Sequence, residues 1–422
     1  IRKSAGKKKV IVGRDGRMSG LMVEALVEQS LLALGIDVVH LGLSTTPTVE
    51  MAVVFENADG GIILTASHNP KEWNALKLLN EKGEFVSGEE GKTILALAEQ
   101  EDFIYAPVDA MGELIGDDNS LSKHIQAILD HPLVDIYAIK KANFKVVVDA
   151  INSSGAFTVP ALLKAIGVED IVVLNAAMTG DFAHNPEPLK EHLTELCDTV
   201  VKEKAHLGIA VDPDVDRLCF VSEDGNLFGE EYTLVAIADY ILQYTKGATV
   251  SNLSSTRALR DVTEQHGCTY FASAVGEVNV VTKMKAEKAV IGGEGNGGII
   301  VPDLHYGRDA LVGIALFLSH LAKADTSCSS LRAGYPAYFM SKKKMDLNAS
   351  LSLSTIFEQL KKEFSAYPMN DVDGLKIDFE NEWVHLRSSN TEPIMRIYTE
   401  AKTQAAADAL ADKIIQLILK IQ

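Results

Sequence analysis

Residues 9–42 read KVIVGRDGRMSGLMVEALVEQSLLALGIDVVHLG. Lys9–Gly13 is an apolar, β-branched run, and Arg14–Gly20 is polar and carries glycine. Leu21–Gly35 repeats its apolar residues at helical spacing, and Ile36–Gly42 is apolar again. A strand, a polar loop, a helix closing on glycine and a second strand make one right-handed βαβ unit. The plan recurs twice, as FKVVVDA, INSSGAFT, VPALLKAIG, VEDIVVLN over residues 144–175 and as ATVSNL, SSTRALRDVTEQHG, CTYFAS over residues 248–273. Three copies of similar length predict three related α/β domains. The tail differs: DFENEWVHLR and IMRIYTE, within Asp378–Glu400, read as two strands joined by a polar loop, and AAADALADKIIQLILKI at 405–421 reads as an amphipathic helix. These form a separate, smaller α+β domain.

Working outward, the seams divide the chain into domains at 1–138, 139–238, 239–343 and 344–422. Leu114–Leu133 reads as one helix closing the first domain. Ala322–Ser329 and residues 341–350 are polar, so the approach to the last domain is expected to be a linker with Lys342, Lys343 and Lys344 solvated. With 422 residues, 47% of them hydrophobic, the chain can bury several cores. The formal net charge of -18 argues against nucleic acid or an anionic membrane as a partner. No apolar run reaches the roughly 18 residues of a membrane span, and the basic opening Ile1–Val10 has no signal-peptide core behind it. Cys197, Cys219, Cys268 and Cys328 contain no CxxC pair and read as small buried apolar residues. The expectation is a cytoplasmic protein, monomeric or homodimeric.

Four loops carry chemistry. Gly61–Leu64 reads as a buried strand that stops in Thr65-Ala66-Ser67-His68-Asn69-Pro70, which sets a serine hydroxyl at a strand's C-terminal end, where ligands bind in open α/β sheets. By local sequence alone, a serine beside a histidine in a turn is usually plain turn chemistry. Asp212-Pro213-Asp214-Val215-Asp216-Arg217 follows the apolar strand LGIAV, and alternate side chains of an extended segment let Asp212, Asp214 and Asp216 converge on one hard cation. An EF-hand is excluded, because Arg217 stands where its glycine belongs and the flanks read as strands. Gly292–Gly298 is not a dinucleotide fingerprint. Its glycines admit a ligand close to the backbone, and Glu294 and Asn296 offer an acceptor and an amide to sugar hydroxyls, although a flexible hairpin explains the composition as well. Arg387-Ser388-Ser389-Asn390-Thr391-Glu392-Pro393 combines a guanidinium, hydroxyls and an amide suited to a phosphate. Arg14 and Arg17 could add positive charge in the first domain, or be ordinary salt-bridged residues.

TASHNP, DPDVDR, GGEGNGG and RSSNTEP, in this order and with HNPEP at 184–188 and DGLK at 373–376, resemble the α-D-phosphohexomutase superfamily over nearly the whole chain. The resemblance implies four domains, three α/β with mixed sheets and a smaller C-terminal α+β domain, around a central cleft. It implies a phosphoserine at Ser67 and Mg²⁺ held by that group with Asp212, Asp214 and Asp216. It makes Lys77 the candidate general acid/base, with a lowered pKa, His68 assisting and Arg14 adding charge. The substrate, a hexose phosphate, would meet Arg217, Glu277, Glu294 and Asn296, with Arg387, Ser389, Asn390 and Thr391 on its unreactive phosphate. A hexose 1,6-bisphosphate would be the intermediate and activator, and closure of the cleft by the last domain would hold it.

Two departures follow. The pattern opens with an S-G-x-R-G segment ahead of the GRDGR strand, and residues 1–422 do not contain it, so that segment either precedes Ile1 or is missing. Glu277 stands where several members carry histidine, and with GEGNGG this resembles archaeal-type phosphoglucosamine mutases, a carboxylate being suited to an ammonium group. Glucosamine phosphate is therefore the expected substrate. Glucose or mannose phosphate, or a silent sugar-phosphate binding protein, are the alternatives. A serine hydrolase would need a G-x-S-x-G elbow, which is not present around Ser67.

Overall fold

The computed structural model describes residues 7–346, 353–388 and 394–421, and its strands fall into four sheets. The first contains β1 (Lys8–Arg14), β2 (Ile36–Leu43), β3 (Gly60–Leu64), β4 (Leu76–Leu79) and β5 (Leu114–Gly116), ordered β4-β3-β1-β2-β5. The second orders β6 (Lys145–Asp149), β7 (Asp170–Leu174), β8 (Leu207–Val211) and β9 (Leu218–Ser222) as β7-β6-β8-β9. The third orders β10 (Thr249–Asn252), β11 (Tyr270–Ser273), β12 (Ile291–Glu294) and β13 (Gly298–Ile300) as β11-β10-β12-β13. In each, the first strand is central, the next two flank it in parallel, and a fourth returns antiparallel to the third. The same βαβ plan thus yields the same topology three times.

Local chemistry sets these elements. Thr45 caps the helix Thr46–Phe55, its Oγ1 accepting the Thr48 N–H at 3.1 Å, with Pro47 in the first turn. A Cβ on Gly13 would stand 2.6 Å from Val49 Cγ2, so that helix lies against β1 as closely as glycine permits. The helix Gly20–Ala33 does not follow simple amphipathic logic. It buries Glu24 and Glu28 and exposes Leu21, Met22 and Leu26, because Arg14 Nε at 2.9 Å and His40 Nδ1 at 2.5 Å partner the inward carboxylates.

One apolar core runs through the second and third units, where Phe317 of the buried helix Ala310–Ala324 stacks on Phe220 with ring centroids 3.8 Å apart. The last unit has a core of its own around Ile356, Leu386 and Ile414. Its antiparallel sheet orders β14 (Phe339–Asp346), β15 (Met369–Asn370), β16 (Leu375–Asp378), β17 (Trp383–Ser388) and β18 (Ile394–Ala401) as β14-β18-β17-β16-β15. Trp383 is fully buried where this unit meets the third: its Nε1 donates to Glu400 at 2.7 Å and Lys376 Nζ lies 4.0 Å from its ring centroid.

Several sequence expectations change here. Lys342, Lys343 and Lys344 do not form a linker; they lie in β14, an edge strand, where lysine discourages pairing with other chains. The run 378–387 is interrupted by a turn, Phe379 N–H donating to the Glu382 carbonyl at 2.8 Å. Leu114–Leu133 divides into β5 and the helix Ser120–Leu129, because the Asp117 carboxylate captures the Asn119 N–H and Ser120 hydroxyl and starts the helix there. Each boundary drawn from sequence falls inside an element: 138/139 in the helix Ile136–Ala142, 238/239 in the helix Glu230–Tyr244 and 343/344 in β14. Among the described residues no helix is long and apolar enough to cross a membrane.

Candidate active site

After β3 the chain turns at once, and Ser67 has φ +48°, a left-handed conformation costing about 1–3 kcal/mol. Thr65 Oγ1 helps to hold it, accepting the Ser67 N–H at 2.8 Å and donating to Asp15 Oδ2 at 2.6 Å. Arg17 does the rest. Its Nη1 donates to the carbonyls of Pro70 and Trp73 at 2.7 Å, and its Nη2 to those of Ser67 and Asn69 at 2.6 and 2.7 Å. Asp15 Oδ2 takes Nε at 3.1 Å, and the ring of Phe182 lies 5.1 Å from the guanidinium. Of the two readings open for Arg17, the structure favours the internal one: it binds the loop itself. Trp73, by contrast, projects into solvent.

Ser67 Oγ donates to Asp212 Oδ2 at 2.9 Å across the junction of the first two units, and His68 Nδ1 lies 3.4 Å from the same hydroxyl. Asp212, Asp214 and Asp216 have no solvent exposure and offer oxygens within 4.8 Å of one another. They converge through a turn, not an extended run: Val215 has φ +61°, and Asp212 Oδ1 accepts the N–H groups of Asp216 and Arg217, both at 3.1 Å. Lys77, on β4, reaches Asp214 Oδ2 at 2.6 Å and Asp216 Oδ2 at 2.9 Å, and Thr46 also donates to Asp214. Asp214 Oδ1 and Asp216 Oδ1 are buried with no hydrogen-bond partner among the described residues. Two orphaned anionic oxygens beside a third carboxylate fit a hard divalent cation.

The electrostatics differ within this cluster. Burial, then the neighbouring Asp214 and Asp216, push Asp212 well above the carboxylate range. Burial acts on Asp216 in the same sense, but Arg308, Lys77 and Arg217 overcome it and hold that group low. The lowered pKa expected for Lys77 is not found: burial pulls it down, but Asp214 and Asp216 reverse the effect and keep the ammonium charged. His68 is lowered to about 4, first by burial and then by Arg217, so its ring is neutral.

Arg308 organises the side of the cluster nearest the β12–β13 loop. Its Nη2 binds Asp216 Oδ2 at 2.8 Å, Nη1 binds Glu294 Oε2 at 2.9 Å, and Nε pairs with Glu277 Oε2 at 2.9 Å. Burial raises Glu277 to about 8 against the pull of Arg308. Glu294 Oε1 accepts from Asn252 Nδ2 at 2.8 Å and the Gly276 N–H at 3.1 Å. Asn296 closes the β12–β13 turn, accepting the Gly298 N–H at 3.2 Å. The glycines there admit the protein's own side chains: a Cβ on Gly295 would lie 2.0 Å from Glu231 Oε2, and one on Gly298 2.3 Å from Arg308 Cδ. Sequence reasoning passed over Arg308, whose one signal is that Gly307-Arg308-Asp309 repeats the Gly13-Arg14-Asp15 triplet.

The remaining residues are scattered. Arg14, expected in the catalytic set, is occupied by Glu24 and by the Asp15 carbonyl at 3.1 Å, because the buried Glu24 requires a cation. Arg217 Nη1 lies 3.4 Å from Glu187 Oε1, and its Nε has no hydrogen-bond partner among the described residues. Arg387 Nε stands 3.6 Å from Asp373 Oδ2, which also accepts the Val275 N–H at 3.0 Å. Ser389, Asn390 and Thr391 lie outside the described residues.

Family models for phosphoglucomutase/phosphomannomutase match along most of the chain: α/β/α domain I over residues 1–105, domain II over 122–225, domain III over 229–338 and the C-terminal domain over 347–417. The chain belongs to this family, within the α-D-phosphohexomutases, a class of isomerases. It is 35% identical over 97% of its length, and 89% of the relative's, to a phosphoglucomutase/phosphomannomutase of Thermococcus kodakarensis. It is 32% identical over 97% of its length, and 91% of the relative's, to a phosphoglucosamine/phosphogalactosamine mutase of Sulfurisphaera tokodaii. The fold superposes on the crystal structure of a phosphoglucomutase/phosphomannomutase family protein from Burkholderia thailandensis with TM-score 0.84 and 26% identity, covering 98% of this chain and 89% of that one.

Proposed function

We propose that this phosphohexomutase interconverts glucosamine 6-phosphate and glucosamine 1-phosphate through a phosphoserine at Ser67 and a sugar 1,6-bisphosphate. The observation that carries the chemistry is the Ser67 hydroxyl, strained and 2.9 Å from Asp212 at the mouth of a buried aspartate cluster. The phosphoryl group leaves Ser67 Oγ for the free sugar hydroxyl, and the hydroxyl's proton passes to the neutral His68 ring and on to Ser67 Oγ. The bisphosphate turns over, and the same exchange in reverse returns its other phosphoryl group to Ser67. Lys77, held protonated, serves as a cation beside the reacting oxygens. Asp212, Asp214 and Asp216 with Ser67 would hold Mg²⁺, which when bound spreads the charge of the transferring group. Arg387, with Ser389, Asn390 and Thr391, grips the distal phosphate.

The amino sugar is favoured by Glu277 and Glu294, two buried carboxylates on the sugar-facing side, and by the name of the Sulfurisphaera relative. A second reading, glucose or mannose phosphate, draws support from Arg308, which already neutralises Glu277. A coupled assay of the 1-phosphates of glucosamine, glucose and mannose, with catalytic bisphosphate and Mg²⁺, separates them. Glucosamine 1-phosphate should give a kcat/KM at least tenfold above the others, and Glu277→Gln should erase that preference; equal turnover of all three sinks the assignment. Ser67→Ala should abolish activity, and retained turnover would overturn the phosphoserine mechanism.

A further inference from the structure

A second set of metal-ligating side chains lies where the helix Ser120–Leu129 meets the segment leading into the helix Ala310–Ala324. His124 belongs to the helix Ser120–Leu129, and His305 and Asp309 bracket Arg308 just before the helix Ala310–Ala324. His124 Nε2 is 2.9 Å, and His305 Nε2 3.3 Å, from the same oxygen, Asp309 Oδ2, and one ligand atom of each residue lies within 4.8 Å of the others. The imidazole planes cross at 90°.

The outer edges of these groups face oxygens. Thr48 Oγ1 lies 3.0 Å from His124 Nδ1, and Glu50 Oε2 lies 3.3 Å from His305 Nδ1. Asp309 Oδ1 accepts the N–H groups of Leu311 and Val312 at 2.8 and 3.3 Å. A cation bound at about 2.0–2.2 Å needs its ligands about 3.0–3.5 Å apart, and the two nitrogen–oxygen separations already stand within a few tenths of that range. An imidazole ligating through Nε2 keeps its proton on Nδ1 and gives it to an oxygen, which is what Thr48 and Glu50 present.

Burial points the same way. Glu50 is 1% exposed, neither of its oxygens has a hydrogen-bond partner among the described residues, and Asp309 is fully buried.

We propose that His124, His305 and Asp309 bind a first-row transition cation of the Zn²⁺ class, with Glu50 and Thr48 orienting the imidazoles. Two nitrogen donors suit such an ion and not Mg²⁺, so this site is chemically separate from the all-oxygen aspartate cluster. It clasps the helix Ser120–Leu129 to the segment that carries Arg308, and so fixes the cation that holds Asp216, Glu277 and Glu294.

The test uses the full chain, stripped by chelator and saturated with Mg²⁺ to fill the aspartate cluster. Co²⁺ should bind at one equivalent with the visible absorption of a nitrogen/oxygen site, Zn²⁺ should displace it, and Zn²⁺ should raise the melting temperature. X-ray absorption of the Zn²⁺ form should show imidazole scattering, a readout that requires no variant; an all-oxygen shell would overturn the site. His124→Gln and His305→Gln should abolish Co²⁺ binding while Asp212→Asn retains it. Glu50→Gln, which leaves all three ligands, should weaken Zn²⁺ about 10–100-fold. No Zn²⁺ binding in the presence of Mg²⁺, or binding that survives both histidine variants, leaves an imidazolium at His305 between Glu50 and Asp309 as the correct account.

Discussion

Arg17 donates to four carbonyls of the serine loop and to Asp15, a pattern that needs the planar fork of a guanidinium. Arg17→Lys keeps the charge but reaches fewer of those acceptors, so Ser67 should lose its alignment with Asp212. We expect kcat to fall about a hundredfold with a smaller change in KM, since misplacement of a reacting group by an ångström costs that order. Unchanged kcat in steady-state assays would show that the loop holds its shape alone. Ser67 and the three aspartates were legible in the sequence because their chemistry lies in short local spacings. Arg308 was not, because its partners Asp216, Glu277 and Glu294 are brought to it by three separate segments.

At the scale of elements, the turn of the β12–β13 hairpin has no room for a side chain at Gly297. Gly297 has φ +85°, and a Cβ there would stand 2.2 Å from the Leu218 carbonyl oxygen. Gly267 has φ +69° with nothing within 4 Å of its Cβ position. Gly267→Ala should therefore cost about 1 kcal/mol, the backbone contribution alone, and Gly297→Ala about 3 kcal/mol or more. Urea denaturation of both variants checks the order, and equal losses would contradict it. The strands and crossover helices were readable from apolar periodicity. β14 was not, because three consecutive lysines suggest solvent, and only its place at a sheet edge makes them compatible with a strand.

In the whole molecule, the serine, aspartate and glycine loops each connect the third strand of a sheet to its antiparallel fourth. One topological position, used three times, supplies three sides of the site; the fourth loop joins β17 to β18. Repetition was visible in the sequence, but the shared exit point was not, since the fourth strands carry no common pattern. The last unit docks through His385, 1% exposed, whose Nδ1 lies 2.9 Å from Ser254 Oγ and whose Nε2 lies 2.7 Å from the Asp373 carbonyl. Burial lowers its pKa to about 4, below the value of about 6.5 in an unfolded chain. Its contribution to stability is therefore full above pH 6.5 and is lost as pH falls toward 4. Urea midpoints should decline over that window, and His385→Gln should decline less steeply; identical slopes would remove His385 from the account.

The chain has two tryptophans, and their surroundings are opposite: Trp73 is exposed on the serine loop and Trp383 is enclosed under Lys376 at the junction of the third and fourth units. Intrinsic fluorescence therefore contains two separable emitters. Iodide should quench the red-shifted component from Trp73 and spare the blue-shifted one from Trp383. A ligand that orders the serine loop would alter the first signal, and a movement of the last unit would alter the second, so each can be timed without attaching a dye.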